Sequence, residues 1–212
     1  MLALFRKLIK EANHVANGEW VRITGNEIMG KTLSVIGLGR IGKEVAIRAN
    51  AFGMKVIGFD LYWDDDFARS HKVERAQSID EALNAGDIVS LHVNLSDETR
   101  ALINKDRISK MKDGVVILNC ARGEIIHTQD VIDALHSGEI GGYGTDVLDI
   151  EPPPSDHPML RAPNAVITPH IGSRTFESVE RQATMAAKNL VLALQGEAPL
   201  AQANDAPLTA HI

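Results

Sequence analysis

Short apolar segments alternate along this chain with segments whose apolar residues recur at helical spacing. The apolar runs have the length of buried strands and lie at 33–36, 56–59, 88–93, 115–118, 142–147 and 165–168. Helical spacing predicts a helix directly after the first strand and others at 1–17, 78–86, 104–111, 130–136 and 175–194. This alternation predicts an α/β fold of the Rossmann type, in which a doubly wound parallel sheet carries helices on both faces.

The first strand leads into Gly37, Gly39 and Gly42, spaced as G-x-G-x-x-G, and the second strand ends on Asp60. Gly37 permits a tight turn, Gly39 lets a pyrophosphate approach the backbone, and Gly42 lets the following helix pack against the strand. That helix offers unpaired N–H groups to the phosphates. Asp60 is expected to accept hydrogen bonds from the adenosine ribose. We interpret the segment as a dinucleotide site, with a merely structural βαβ unit as the alternative.

Local signals predict where several of these elements begin and end. Ser78 and Glu81 form a capping box, Thr128 is the expected N-cap of helix 130–136, and Gly138 is its expected stop. Residues 61–77 are predicted to be irregular, and the tail after Gly196 to be loose. Two helices show one apolar face each, made of Ile41, Val45, Ala46, Ala49 and Phe52 in the first and of Val179, Ala183, Ala186, Leu190 and Leu194 in the second.

Residues 1–17 are predicted to form one amphipathic helix that ends before Gly18. The chain opens inside this helix, without a capping residue before Met1. The apolar face must either dock on the domain that follows or form an interface with another chain. A homodimer is the expected outcome, because such a stripe needs to be covered.

A second glycine pattern, from Gly25 to Thr32, matches the phosphate-loop motif G-x-x-x-x-G-K-T. That loop must lead directly into a helix whose N-terminus holds the phosphates. Here Lys31 and Thr32 lead into an apolar strand instead, so we predict that the match is accidental. An ATP-using phosphate-loop enzyme is kept as an alternative for test.

Composition restricts the classes of protein that fit. With 212 residues and 44% hydrophobic content, the chain can form one large domain with a core. The formal net charge of −6 gives no reason to expect a nucleic acid or an anionic membrane as partner. Cys120 is the single cysteine, which suits a reducing compartment, and the cytoplasm is the expected location. No run approaches the length of a membrane span, and no metal site is predicted.

Polar residues follow four of the predicted strands, at the edge where ligands bind in such sheets. They include His92 after the third strand, Arg122 after the fourth, Asp146 and Glu151 after the fifth, and His170 after the sixth. Such a set suits hydride transfer to a carbonyl. A guanidinium can hold a carboxylate, an imidazole can transfer a proton, and an acid can orient that imidazole.

Each of these residues has a plainer interpretation. Arg122 suits a surface ion pair, His170 a loop position that caps the last helix, and Glu151 an exposed loop. Asp146 can serve either the cofactor or the fold. Cys120 resembles a nucleophile, but with no general base beside it in sequence a backbone contact to the cofactor is the favoured interpretation.

The chain resembles the D-isomer-specific 2-hydroxyacid dehydrogenase family at six segments in the family's order. These are GKTLSVIGLGRIG, FGMKVIGFD, SLHVNLSDETRALIN, MKDGVVILNCARGEIIHTQDVIDAL, GTDVLDIEPPP and TPHIGSRT. The resemblance implies that Arg122 binds the substrate carboxylate and that His170 is the acid/base, paired with Glu151. It also implies NAD contacts at Gly37, Gly39, Arg40, Ile41, Gly42, Asp60, Val93, Thr99, Cys120, Ala121, Asp146, Gly172 and Ser173.

The same resemblance implies NAD as cofactor and a small 2-hydroxy or 2-keto acid as substrate. No arginine or lysine follows Asp60 directly to neutralise a 2′-phosphate, which favours NAD over NADP. Family members carry a separate substrate domain, built mostly from residues before the cofactor domain. We therefore expect an interface helix at 1–18, the NAD-binding domain at 19–174, and a return helix with a tail at 175–212. A non-catalytic NAD(H)-binding module is the competing hypothesis.

Overall fold

Seven parallel strands form a single sheet in the order β3-β2-β1-β4-β5-β6-β7. The computed structural model describes residues 1–202. The strands are β1 (Thr32–Ile36), β2 (Lys55–Phe59), β3 (Val73–Arg75), β4 (Ile88–Leu91), β5 (Val115–Asn119), β6 (Ile140–Thr145) and β7 (Ala165–Ile167). The order reverses between β1 and β4, so the glycine turn that follows β1 lies at the switch point where such sheets bind ligands. The predicted Rossmann-type sheet is confirmed.

Eight α-helices accompany these strands within the described residues: α1 (Leu2–Phe5), α2 (Leu8–Ala16), α3 (Arg40–Ala51), α4 (Asp65–Ser70), α5 (Ile79–Ala85), α6 (Lys105–Ile108), α7 (Thr128–Ser137) and α8 (Phe176–Leu194). Two 3-10 helices cover Gly123–Ile125 and Pro158–Arg161. The chain divides into two units, residues 1–169 and residues from 170 onward. Across residues 1–202, no helix has both the length and the apolar composition needed to cross a membrane.

The core of the first unit lies on both faces of the sheet because strand side chains alternate between them. Val35 and Val56 pack in one apolar cluster, whereas Ile36 and Ile57 pack in the other. The predicted N-cap of α5 is confirmed, since the Ser78 side chain accepts a hydrogen bond from the Glu81 amide at 3.1 Å. The reciprocal bond of the capping box is shifted by one residue, because the Glu81 side chain accepts from the Gln77 amide at 2.6 Å.

The prediction of one continuous helix over residues 1–17 is wrong. Lys7 adopts a left-handed conformation with φ of 53° and separates α1 from α2. The Asn26 amide donates a hydrogen bond to the Phe5 carbonyl at 2.8 Å, so this carbonyl is bound by the segment between α2 and β1. The break lets Leu4 and Phe5 pack on the sheet, whereas the apolar side chains of α2, Leu8, Ile9 and Val15, stay exposed.

Three other local predictions are corrected. Residues 61–77 contain α4 and β3, and Asp64 caps α4 by accepting from the Phe67 amide at 2.9 Å. Thr128 is the first residue of α7 instead of its N-cap, which is His127. Ile41 is 68% exposed and Phe52 is 49% exposed, so neither lies on the buried face of α3. Gly138 does end α7, in the left-handed conformation that was expected of a helix stop.

The phosphate-loop interpretation of residues 25–32 does not fit the fold. Thr32 begins strand β1, and Lys31 precedes the amino end of that strand. The carboxyl ends of the strands, where the glycine turn lies, are at the opposite edge of the sheet. The prediction that this match is accidental is confirmed.

The second unit contains α8, whose N-cap Thr175 accepts a hydrogen bond from the Ser178 amide at 3.1 Å. After the helix, the Leu200 amide donates to the Asn189 side chain at 2.8 Å, so this part of the tail folds back on α8 instead of being loose. The rest of the predicted loose tail, from 203 onward, lies outside the described residues.

Candidate active site

The glycine turn after β1 is packed from two sides and open on a third. Gly37 has φ of +97°, and a Cβ there would lie 2.8 Å from the backbone of His92. A Cβ on Gly42 would lie 2.0 Å from the carbonyl oxygen of Gly37, whereas a Cβ on Gly39 would meet nothing within 4 Å. The turn therefore requires Gly37 and Gly42 for packing and leaves free space in front of Gly39.

That open space faces the start of α3. Gly39 is the N-cap of this helix and supplies no side-chain cap, so the first N–H groups of α3 have no side-chain acceptor from that residue. Arg40 and Ile41 are the first two helical residues, and both are exposed. Backbone donors with no competing side chain, next to free space, fit the pyrophosphate of a dinucleotide.

Asp60 joins the end of β2 to the glycine turn. Its Oδ2 accepts from the Leu38 amide at 2.6 Å, and its Oδ1 accepts from the Tyr62 amide at 2.8 Å. Each carboxylate oxygen has a second lone pair for a further donor, which fits a ribose hydroxyl. The carboxylate thus also holds the turn in place, which sequence reasoning did not predict.

The loop after β4 carries Val93 and Thr99. The Thr99 hydroxyl donates to the Asn94 carbonyl at 2.6 Å and accepts from the Ser96 amide at 2.8 Å, which holds this loop together. His92, at the start of the loop, contacts the Ser90 hydroxyl through Nε2 at 2.8 Å. Burial lowers the pKa of His92 to about 4, so this imidazole is neutral at physiological pH.

The loop after β5 is built around Asn119, which is fully buried. Its side-chain amide donates to the Arg122 carbonyl at 2.9 Å, and its Oδ1 accepts from the Ala121 amide at 3.1 Å. The guanidinium of Arg122 is exposed and donates to the Ala121 carbonyl at 2.6 Å. A buried side chain thus fixes the backbone from which an exposed guanidinium projects.

Cys120 lies in the same loop with its side chain in contact with solvent. Surrounding atoms still desolvate the sulfur, and this burial, followed by the nearby Asp146 carboxylate, raises the thiol pKa. A thiol with a raised pKa is a poor nucleophile at neutral pH. This agrees with the interpretation that Cys120 contributes backbone instead of reactive sulfur.

The loop after β6 carries Asp146 and Glu151. Asp146 is buried and accepts a hydrogen bond from the Thr168 hydroxyl. Glu151 is exposed, and its Oε1 accepts from the Leu148 amide at 2.9 Å. A Cβ on Gly123 would lie 2.0 Å from the carbonyl carbon of Leu148, so the loops that carry Arg122 and Glu151 are in direct backbone contact.

His170 is the first residue of the second unit and has φ of 53°. Gly172 and Ser173 follow it in an exposed turn, which the Arg174 amide closes by donating to the Ile171 carbonyl at 2.9 Å. The pairing of Glu151 with His170 joins residues of two units and stays a prediction.

Sequence reasoning missed several residues that hold these loops. Asn119 and Thr145 are buried polar residues that hydrogen-bond the loop backbones, and Thr128, Asp149 and His157 are linked to one another. Polar residues directly at the end of an apolar strand, such as Asn119, were the available signal. Within residues 1–202, no group of three His, Cys, Asp or Glu side chains is placed to hold a metal ion.

Comparison with known proteins decides the family. Residues 1–172 match the model of the D-isomer specific 2-hydroxyacid dehydrogenase NAD-binding domain. The chain belongs to this dehydrogenase family. It is 37% identical to a glyoxylate reductase of Thermofilum pendens, over 96% of this chain and 62% of that protein. It is 41% identical to a D-3-phosphoglycerate dehydrogenase of Methanocaldococcus jannaschii, over 93% of this chain and 38% of that protein.

Among solved structures of this dehydrogenase family, the D-lactate dehydrogenase of Lactobacillus jensenii with NAD+ aligns with a TM-score of 0.85 at 28% identity. The alignment covers 96% of this chain and 65% of that one. NAD is the cofactor of this dehydrogenase domain, as the sequence predicted. The chain spans less than two thirds of the length of these relatives.

Proposed function

We propose that this domain binds NAD(H) and interconverts a D-2-hydroxy acid and its 2-keto acid. The observation that carries the proposal is the position of the Arg122 and Glu151 loops. They touch each other and follow neighbouring strands, at the same edge of the sheet as the open glycine turn. We propose the cytoplasm as the compartment, since a single cysteine suits a reducing environment.

The cofactor and three side chains of the chain divide the chemical roles. Bound NAD supplies the hydride acceptor or donor. Arg122, exposed and held by its anchored backbone, binds the substrate carboxylate through a two-pronged hydrogen bond. His170 gives a proton to the carbonyl oxygen during reduction and takes it back during oxidation. In this proposal Glu151 orients the imidazole of His170 through a hydrogen bond to the ring nitrogen that does not face the substrate.

The test is oxidation of NADH by the purified full chain with glyoxylate, hydroxypyruvate and pyruvate. Arg122→Gln and His170→Gln are each expected to lower kcat/KM by about 10²-fold or more. Neither change should alter the Kd for NADH by more than about two-fold, because both residues act on the substrate. Arg69→Gln and His136→Gln are matched controls on exposed surfaces of α4 and α7. Folded protein without turnover on any 2-keto acid would contradict the proposal.

A non-catalytic NAD(H)-binding module is the second candidate. It is favoured by partial coverage of the relatives, since the chain spans 62% of the length of the glyoxylate reductase and 38% of the length of the D-3-phosphoglycerate dehydrogenase. This candidate predicts that calorimetry detects NAD binding without any turnover, and that His170→Gln leaves that binding unchanged. Turnover by the purified chain would exclude it.

We also propose that the protein is a homodimer. Leu8, Ile9 and Val15 on α2 are each at least half exposed, and Trp20 in the following connector is 84% exposed. Apolar side chains grouped in this way need cover. Light scattering should report twice the mass of the chain, and a monomer at micromolar concentration would remove this argument.

A further inference from the structure

Three side chains outside the proposed catalytic set form a continuous line of hydrogen bonds. The Thr128 hydroxyl donates to Oδ2 of Asp149 at 2.7 Å, and Nε2 of His157 meets Oδ1 of the same carboxylate at 3.0 Å. Nδ1 of His157 accepts from the Met159 amide at 3.3 Å. In a neutral imidazole this fixes the tautomer, so that Nε2 carries the proton and donates it to Asp149.

The central carboxylate is charged. Burial by itself raises the pKa of Asp149, but the hydrogen bonds from Thr128 and His157 outweigh burial and lower the pKa below its usual value. Hydrogen bonds to an ionised acceptor are stronger than neutral ones. The imidazole of His157 is 5% exposed, so little water competes for the bond that it donates.

These contacts connect the two loops of the proposed active site. Thr128 starts α7, which follows the Arg122 loop after a single 3-10 turn, and so belongs to the segment that leads away from Arg122. Asp149 and His157 lie on either side of Glu151 in the loop after β6. The Thr128–Asp149 hydrogen bond therefore joins the same two segments that touch at Gly123, and the bond from His157 holds the Asp149 carboxylate from within the loop after β6.

We propose that Thr128, Asp149 and His157 are positioning residues, which together form a clamp that fixes the Glu151 loop against the Arg122 loop. The clamp makes no contact with substrate; it sets the distance between the group that holds the carboxylate and the group that orients the acid/base. Its catalytic consequence rests on the proposed function, whereas its effect on the two loops does not.

Hydrogen exchange on the full chain tests the effect on the loops. Thr128→Val keeps the shape of the side chain and removes the hydroxyl donor. It should speed amide exchange about five-fold in residues 122–128 and 146–157, the effect of one lost hydrogen bond. Ser137→Ala is the matched control, since it removes an exposed hydroxyl from the far end of the same helix. Unchanged exchange in both segments of the Thr128 variant overturns the clamp.

Turnover tests the catalytic consequence. Thr128→Val and His157→Leu should lower kcat by about 10-fold to 10²-fold, because a small displacement of a catalytic group is costly. The Kd for NADH should stay within about two-fold. His157→Gln retains a donor for Asp149 and should recover most of the lost kcat, which a merely structural role would not produce. Should His157→Leu fail to fold, the kcat values of Thr128→Val and His157→Gln still decide whether the clamp affects turnover.

The possible results separate the two proposals. Faster exchange with no turnover, even in the unaltered chain, means that the clamp exists and that the proposed dehydrogenase function fails. Turnover in which neither exchange nor kcat responds to Thr128→Val means that the function stands and the clamp fails. A higher Kd for NADH in every variant, with kcat unchanged, would also overturn the positioning role.

Discussion

Adding one methyl group to Gly39 separates the role of the glycine turn in folding from its role in cofactor binding. Gly39 has φ of −67°, which any residue adopts, and a Cβ there would meet no atom within 4 Å. Gly39→Ala should therefore change the free energy of unfolding by at most about 1 kcal/mol, the size of an N-cap effect. The methyl group would fill the space in which the pyrophosphate approaches the backbone.

Loss of that close approach should raise the Kd for NADH by about 10-fold to 10²-fold, equivalent to about 1.4–2.7 kcal/mol of binding free energy. Gly42→Ala is the matched change in the same turn. Its methyl group would lie 2.0 Å from the Gly37 carbonyl oxygen, a backbone atom that no rotamer can move aside. Gly42→Ala should therefore destabilise the fold by about 1–3 kcal/mol or more through overpacking.

Urea unfolding and NADH fluorescence titration on the two variants measure both quantities. We expect Gly39→Ala to lose affinity at nearly unchanged stability, and Gly42→Ala to lose stability first. If Gly39→Ala bound NADH as tightly as the unaltered chain, the space in front of α3 would not be the pyrophosphate site. If it unfolded as readily as Gly42→Ala, the argument from the free space around its Cβ would be wrong.

Two further predictions concern polar residues beside the site, the partly buried His92 and the buried Asn119. Burial lowers the pKa of His92 to about 4 from an unfolded value of 6.5. Only the unfolded chain takes up this proton as pH falls between those values, so the free energy of unfolding should drop by about 2 kcal/mol from pH 7 to pH 5. Urea unfolding should show that His92→Gln removes this share, and an equal slope in the variant would refute it. Asn119→Leu leaves the Ala121 amide without its side-chain partner and removes one of the two donors to the Arg122 carbonyl, which keeps the Ile125 amide. It should therefore cost about 1–3 kcal/mol of stability and raise the KM for 2-keto acids, whereas an unchanged KM would show that the other contacts hold the Arg122 backbone.

Segments in which several local signals agree were predictable from the sequence. From β1 to Asp60, an apolar strand, glycines at fixed spacing, a helical pattern and a terminal acid occur in order, and the structure has β1, α3 and β2 there. The N-cap at Ser78 and the glycine stop at Gly138 are also local, since each depends on hydrogen bonds within a few residues. Family membership followed from the same kind of ordered motif.

Predictions failed where distant parts of the chain decide the local structure. The break at Lys7 occurs next to a hydrogen bond from the Asn26 amide to the Phe5 carbonyl, and the helical spacing of apolar residues does not predict this contact. Thr128 is of a residue type that often caps helices, but its hydroxyl donates a hydrogen bond to Asp149 instead. The short strand β3 pairs only with β2, and three residues are too few to show a period of two.

The candidate site shows the same division between what strands determine and what loops determine. A parallel sheet brings every strand's carboxyl end to one edge, so a sequence that gives the strands also gives the residues that follow them, such as Arg122 and Glu151. The spacing between those residues depends instead on contacts between loops, at Gly123 and through Asp149, which join residues far apart in the chain. Gly123, which has no side chain, and the charged Asp149, which accepts two hydrogen bonds, each hold irregular loops in place.

For this reason we expect substitutions at Gly123 to impair the site as strongly as substitutions at Arg122, although Gly123 carries no chemical group. Gly123→Ala would place a methyl carbon 2.0 Å from the Leu148 carbonyl carbon, and the loops would have to separate to accommodate it. Turnover measured beside NADH affinity checks this: kcat should fall by about 10²-fold with NADH binding retained, and a fully active Gly123→Ala enzyme would show that the contact between the two loops does not set the geometry of catalysis.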